Sequence, residues 1–334
     1  MAAEEPVDYT QLTSLFVVST VLTSISTVLI IVRVWVRFFA LKKASMDDYM
    51  AISALIFTIG YLVALFVEKD NGLGYSMSML TNDDMESQLK IAFAVEIIYY
   101  FVITSVKSSI VFMYDRFAIS VTFKRICLYT NIFLLVFMVV YLIVTVMQCQ
   151  PLQKAWNISR YTPGSCINVT AFFYFSATIN IVLDVWILVI PIPTVKSLHV
   201  SKGNRRVLFA IFGIAGFGTA CSCARLYAIR AYTQATDPFR HGVLLNLWSM
   251  VEINIAIWCA CAPALKPVFS PRRFISSRKT SEQNSPENSH PVNSRPGVHG
   301  STSQSHIVPI HNSNRSSSPR GSTNSPQDVE LGLP

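Results

Sequence analysis

Five ionisable residues stand inside otherwise apolar stretches of this chain: Glu96, Lys107, Asp184, Arg225 and Glu252. In a bilayer each costs about 2.5 to 3.5 kcal/mol at the centre if unpaired, so all five must turn inward and find partners. Depth along a helix, at about 1.5 Å per residue, sorts them. Glu96 and Arg225 fall roughly 7 Å below the outer end and Glu252 roughly 13 Å, whereas Lys107 and Asp184 both fall roughly 22 to 24 Å down. This predicts an outer layer of Glu96, Arg225 and Glu252 and an inner pair of Lys107 with Asp184. Asn180 stands one turn from Asp184 on the same helical face and adds a hydrogen bond. Two readings are open: a polar cavity or switch whose pairs rearrange, or an ion-pair lattice that orders the helices. The outer layer holds one acid more than it has base, which calls for a protonated carboxylate or a carboxylate facing a cavity.

The elements that position these residues follow from hydropathy. Of 334 residues, 51% are hydrophobic and only 14% charged, against about a quarter charged in a soluble domain. A window of about 19 residues finds apolar stretches near 12–34, 49–67, 91–114, 126–148, 169–193, 207–229 and 243–265. Runs such as Ile132 to Val146 do not alternate as barrel strands do. The fold class is therefore all-α, a polytopic bundle of seven transmembrane helices. The net charge of +8 comes mostly from basic residues between apolar blocks, which suits lipid headgroups and not nucleic acid.

Orientation follows from those basic residues. The first, third and fifth loops and the start of the tail hold sixteen: Arg33, Arg37, Lys42, Lys43, Arg116, Lys124, Arg125, Lys196, Lys202, Arg205, Arg206, Lys266, Arg272, Arg273, Arg278 and Lys279. The N-terminus and even loops hold six: Lys69, Lys90, Lys154, Arg160, Arg230 and Arg240. The positive-inside rule places the N-terminus outside and the C-terminus in the cytoplasm of a multi-pass plasma-membrane or endomembrane protein. Glu4, Glu5 and Asp8 spoil a cleavable signal peptide, so the first helix is expected to serve as the membrane signal. Three regions result: a short extracellular N-terminus over 1–11, the membrane domain over 12–266, and a Ser-, Pro- and Asn-rich cytoplasmic tail over 267–334, expected to be disordered. Its Ser-Pro steps at Ser285, Ser318 and Ser325 are either kinase sites or ordinary features of such a tail.

Cys149 and Cys166 share the loop between the fourth and fifth spans, on the face where a disulfide persists. A bridge there closes a loop of about 18 residues for about 3 kcal/mol; the alternative is two free thiols. The acceptor Asn157-Ile158-Ser159 lies in the same loop, and Asn168-Val169-Thr170 lies at the membrane edge, too close for a glycosyltransferase to reach easily. Cys221 and Cys223, and Cys259 and Cys261, are two apart and point away from each other on helices, which suits small core residues better than metal ligands. On the cytoplasmic face Asp47 and Asp48 precede the second span, where capping accounts for one of them. Tyr114-Asp115-Arg116-Phe117 ends the third span and resembles the Asp-Arg-Tyr signature of G-protein-coupled receptors.

The chain as a whole resembles a fungal rhodopsin-like integral membrane protein family, which includes satratoxin-cluster membrane proteins and the membrane portion of pathogenicity-related receptors. The matching pieces are Asp47-Asp48-Tyr49, Gly72-Leu73-Gly74, Lys107-Ser108-Ser109-Ile110, Tyr114 and Arg116, Cys149-x-Pro151 with Trp156 and Cys166, Asn180 and Asp184, Pro191, Arg225, and Glu252 with Pro263. They cover roughly residues 15–270 in order; a cysteine-rich N-terminal module is missing. The resemblance implies a seven-helix fold. It does not carry retinal chemistry, because the stretch from Val243 to Leu265 has no lysine for a Schiff base. No cofactor is expected.

Two functions remain. One is an accessory membrane component of a secondary-metabolite pathway or a small-molecule carrier. The other is a receptor-like sensor of an extracellular small molecule with a cytoplasmic signalling partner, although a Cys at the outer end of the third span and Asn-Pro-x-x-Tyr in the seventh are missing. No nucleophile, base and oxyanion set or metal set appears in the spans, so an enzyme is not expected.

Overall fold

The computed structural model describes residues 9–40, 42, 44–118, 120–157, 163–193, 202–235 and 237–269; the tail expected to be disordered lies outside the described residues from 270 on. Seven helices are long and apolar enough to cross a membrane: α1 (Tyr9–Val34), α2 (Met46–Asp70), α3 (Asn82–Phe117), α4 (Val121–Val146), α5 (Val169–Val189), α6 (Lys202–Gln234) and α7 (Pro238–Phe269). The protein is a multi-pass seven-helix membrane bundle. Helix α3 starts at Asn82 rather than 91 because its first turns are polar and hydropathy does not see them. They are held by a capping box in which Thr81 Oγ1 accepts from Asp84 N at 3.3 Å and the Asp84 carboxylate accepts from Thr81 N at 3.3 Å. Helix α7 opens with Pro238, whose missing N–H is harmless in a first turn.

Helix α7 is the most buried span and packs against α1, α2, α3 and α6. On α1 the inward stripe is Leu12, Leu15, Ser19, Thr23, Ser26, Ile30 and Arg33, at steps of three and four that share one helical face. Its small hydroxyl residues let the backbones approach closely. Ser26 Oγ donates to Asn254 Oδ1 at 2.6 Å, and Trp258 Nε1 donates to Ser26 Oγ at 2.9 Å. The opposite face of α1 exposes Val17, Val21, Val28 and Ile31, a patch suited to lipid and not to water.

Gly72-Leu73-Gly74 turns the chain from α2 toward α3. Both glycines have positive φ, +94° and +87°, a conformation open to glycine at little steric cost, and together they drive Leu73 into the core at 1% exposure. A short hairpin closes the same end of the bundle. Strands β1 (Cys149–Gln150) and β2 (Ser165–Cys166) pair antiparallel with Cys149 opposite Cys166, and a disulfide joins these two residues. Trp156, just after the 3₁₀ turn Leu152–Ala155, packs edge-on against Phe93 of α3.

Candidate functional site

Four helices meet around Glu252. Lys107 of α3 donates to Asn180 O at 2.9 Å and Asn180 Oδ1 at 2.6 Å, and pairs with Asp184 Oδ1 at 2.9 Å. Asn180 Nδ2 passes the contact on to Glu252 Oε1 at 2.7 Å. The other carboxylate oxygen, Glu252 Oε2, accepts from Tyr99 OH at 2.9 Å and lies 3.9 Å from Arg225 Nε. Arg225 sits over the Tyr99 ring, 3.8 Å from its centroid, and donates to Ser249 Oγ at 3.1 Å. Two cations therefore face two carboxylates. Ser222 Oγ lies 2.8 Å from Asp184 Oδ2 and 2.8 Å from Glu252 Oε1. Its single proton can serve only one of them at a time, so one of the two carboxylates is always without this bond.

The expected split into two layers is corrected by this geometry. Depth counted along helix axes locates Cα atoms, whereas Asn180 and Ser222 reach across and join Glu252 to the Lys107–Asp184 pair. Glu96 is the outer acid left without a base of its own, and it faces a cavity, as that excess called for. Its carboxylate accepts from Tyr141 OH of α4, and it makes no ion pair with Arg225 among the described residues. Tyr141 is fixed for this by stacking on Tyr100 and Phe172, at 3.4 and 4.8 Å between centroids.

At the disulfide end this network borders a cavity of about 480 Å³, a volume typical of small-molecule sites. Tyr99, Arg225 and Ser249 line it where it meets the network; Phe93, Phe173 and Tyr232 supply aromatic wall, and Lys154, Cys149 and Cys166 belong to the hairpin side. Glu68 lines it as well. That residue was expected to fall just outside the second span, but α2 continues through it, and it is buried with its carboxylate accepting from Asn246 Nδ2 at 3.2 Å. Tyr61 OH donates to Asn246 Oδ1 at 2.8 Å. The spacing of Tyr61, Leu65 and Glu68 on one helical face was the available signal.

The opposite end carries a second ionic cluster. Arg33 Nη2 meets Asp47 Oδ2 at 2.7 Å, its Nε meets Asp48 Oδ1 at 3.0 Å, and its Nη1 donates to Ala260 O at 2.5 Å. Arg37 lies 3.6 and 3.9 Å from the same two carboxylates, and Arg116 lies 3.9 Å from Asp47. Arg33, Asp47 and Asp48 are fully buried. One expectation is corrected here: Arg33 and Arg37, counted as loop charges, are interior; of the two aspartates, the one that capping leaves unexplained is Asp47, an ion-pair partner. Asp48 does both, its Oδ2 accepting from Ser45 N at 3.2 Å. Asp115 makes no ion pair among the described residues. Ser109, two residues beyond Lys107, donates to Asp47 O at 2.7 Å, so α3 touches both the central network and this cluster.

The residues of a resemblance are thus gathered at three stations along one bundle. A family model described as the fungal rhodopsin domain matches residues 32–271. The chain belongs to the fungal rhodopsin domain family. Relatives of this fungal rhodopsin chain include the Receptor GIN3 of Arthrobotrys oligospora, 27% identical over 75% of this chain and 60% of its own length. Polyenoic acids biosynthesis gene cluster protein Ba17b of Metarhizium anisopliae is 26% identical over 74% and 71%. A SAT4 family membrane protein of Emericella nidulans is 29% identical over 66% and 56%. The match thus spans less than two thirds of the first and third of these relatives. No solved structure matches the chain.

Retinal does not fit this fungal rhodopsin chain. The one lysine of the network, Lys107, is 3% exposed with its ammonium committed to three acceptors. The space beside it is about 50 Å³, room for little more than water. Among the described residues no three His, Cys, Asp or Glu side chains are grouped to hold a metal ion. Cys221, Cys259 and Cys261 are buried, as small core residues should be, but Cys223 is exposed on the outer face of α6. Asn168 caps α5, its Oδ1 accepting from Ala171 N at 3.0 Å. Ser159 of the Asn157 acceptor lies outside the described residues.

Proposed function

We propose that this fungal rhodopsin-family protein is a non-enzymatic membrane sensor that takes a small molecule at its disulfide end and passes occupancy through the bundle to the Arg33–Asp47–Asp48 cluster. The observation that carries this reading is the shared wall: Tyr99 and Arg225 line the cavity and both touch Glu252. A ligand that moves either one alters the pairs around Asn180, Ser222, Asp184 and Lys107, and α3 connects these to Asp47 through Ser109. The differential contact required of any ligand-driven equilibrium is thereby supplied. Asp47, Asp48, Asp115 and Arg116 then mark the face read by a cytoplasmic partner. The relative named as a receptor is consistent with this role.

The test is capture of bound molecules. Full-length protein in lipid nanodiscs, incubated with an extract of the producing cells and washed, should yield small molecules by mass spectrometry. Ala92→Phe, which fills the cavity lined by Ala92, should lower their recovery by roughly tenfold while the melting temperature holds. Equal recovery from both proteins, or none from either, would overturn the reading.

The disulfide end is proposed to face outward, with a glycan on Asn157 and the C-terminus in the cytoplasm, on the strength of fourteen basic residues against six once the interior Arg33 and Arg37 are set aside. A tag placed after Pro334 should resist protease in intact cells and be cut once the membrane is permeabilised. Digestion in intact cells reverses the orientation.

A second role, as an accessory membrane component of secondary-metabolite biosynthesis, is favoured by relatives named for biosynthesis clusters in Metarhizium anisopliae and Talaromyces wortmannii. The same cavity would then hold a product or intermediate. Location of the gene among biosynthetic neighbours supports that role, and an isolated gene supports the sensor.

A further inference from the structure

We infer that the cavity at the disulfide end binds an organic cation, an amphipathic amine whose ammonium sits beside a lining carboxylate without an ion-pair partner, Glu68 or Glu96, and whose apolar body lies on Phe93, Phe173 and Tyr232. The inference rests on the reading of this cavity as a small-molecule site and adds the chemical class of its occupant.

Three observations converge on a positively charged donor. The first is charge. Four ionisable side chains other than tyrosine line the cavity: Glu68, Glu96, Arg225 and Lys154. Arg225 already has its counter-ion in Glu252 and is stacked on Tyr99. Lys154 belongs to the hairpin loop and donates its ammonium to Gly164 O at 2.5 Å. Neither Glu68 nor Glu96 makes an ion pair among the described residues; each accepts from a neutral group, Asn246 Nδ2 and Tyr141 OH. A carboxylate held away from water either takes a proton or keeps its charge beside a cation, and here the ligand is the cation.

The second is hydrogen-bond inventory. Gln148, 7% exposed and lining the cavity, has its carbonyl Oε1 without a partner. A buried acceptor left unmade is costly, and this one needs a donor. An ammonium supplies up to three. The third is the wall, where Phe93, Tyr99, Tyr141, Phe173 and Tyr232 offer the ring faces that attract organic cations. An anionic ligand would leave the Gln148 carbonyl unmet and place its charge against two carboxylates.

The test uses a matched set of probes, diphenylpropylamine, diphenylpropanol and diphenylpropionate, which share an apolar body and differ in the head group. Binding to the full-length protein in nanodiscs is read by equilibrium dialysis at neutral pH. The amine should bind at least roughly tenfold more tightly than the alcohol or the acid, a span within that of buried charge pairs. Glu68→Gln and Glu96→Gln, which keep the hydrogen-bond geometry, should each reduce this preference, and the double variant should erase it while alcohol binding persists. Equal binding of amine and alcohol overturns the cation inference but leaves the cavity standing. Preference for the acid makes Arg225 the anchor and overturns it as well. Failure of all three to bind wild type while Ala92→Phe loses none of the molecules captured from cell extract overturns cavity and cation together. The comparison within wild type needs no variant to fold, so a poorly expressed Glu68→Gln does not rescue the inference.

Discussion

Arg33→Ala is expected to remove nearly all folded protein. One guanidinium holds two fully buried carboxylates and a backbone carbonyl of α7, and removing one partner of a buried ion pair costs about 3 to 5 kcal/mol because the other charge is left stranded. Here two charges are left. Arg37 is within 4 Å of both, but at 3.6 and 3.9 Å it would have to shift to take over. Arg33→Lys should recover only part of the loss, since an ammonium cannot present the planar fork that reaches Asp47 and Asp48 together. The triple change of Arg33→Met with Asp47→Asn and Asp48→Asn removes the stranded charges, keeps an acceptor for Ser45 N and should recover yield beyond Arg33→Lys. Size-exclusion profiles of the detergent-solubilised variants, with melting temperatures, decide this. A monodisperse Arg33→Ala protein that melts like wild type would sink the claim that this cluster holds α1, α2 and α7 together.

The second large effect concerns Lys107 and Asp184, and the structure makes it asymmetric. Without Lys107, Asp184 keeps its bond from Ser222 and is 21% exposed at the side chain. Without Asp184, Lys107 is 3% exposed and keeps only the two neutral oxygens of Asn180. Asp184→Ala should therefore lie at the severe end of the range of about 3 to 5 kcal/mol for broken buried pairs, and Lys107→Ala at or below its mild end. Lys107→Met with Asp184→Leu should recover much of the stability, giving a clear non-additivity in the double-mutant cycle. If the pair only orders helices, the recovered protein still couples ligand to the opposite end of the bundle; if it belongs to the sensor, the fold returns and the coupling does not. Additive losses would show that the two side chains do not work as a pair.

These two clusters differ in how far they were legible in the chain. Lys107 and Asp184 stood out because each interrupts an apolar run, and counting rise along two helices put them at one depth. Arg33 and Arg37 are buried, as Lys107 is, but sit at the end of a run, where the positive-inside rule offers a sufficient reason for any basic residue. Glu68 was hidden likewise at the last turn of α2, since hydropathy fades before a helix ends.

Legible in the chain alone were the seven spans, the need for their charges to face inward, and the placing of two cysteines in one loop. These are properties of a single segment and its medium: length, apolarity and the cost of a charge in lipid. Partnership came from the folded bundle. Glu96 and Arg225 share a depth, yet Glu96 turns to Tyr141 and Arg225 to Glu252, because rotation about each helix axis, set by packing against α7, chooses the neighbour and depth does not. The cavity is of the same kind. Its lining comes from several helices and the hairpin, and no single segment records the space left when such side chains fail to fill the gap between them.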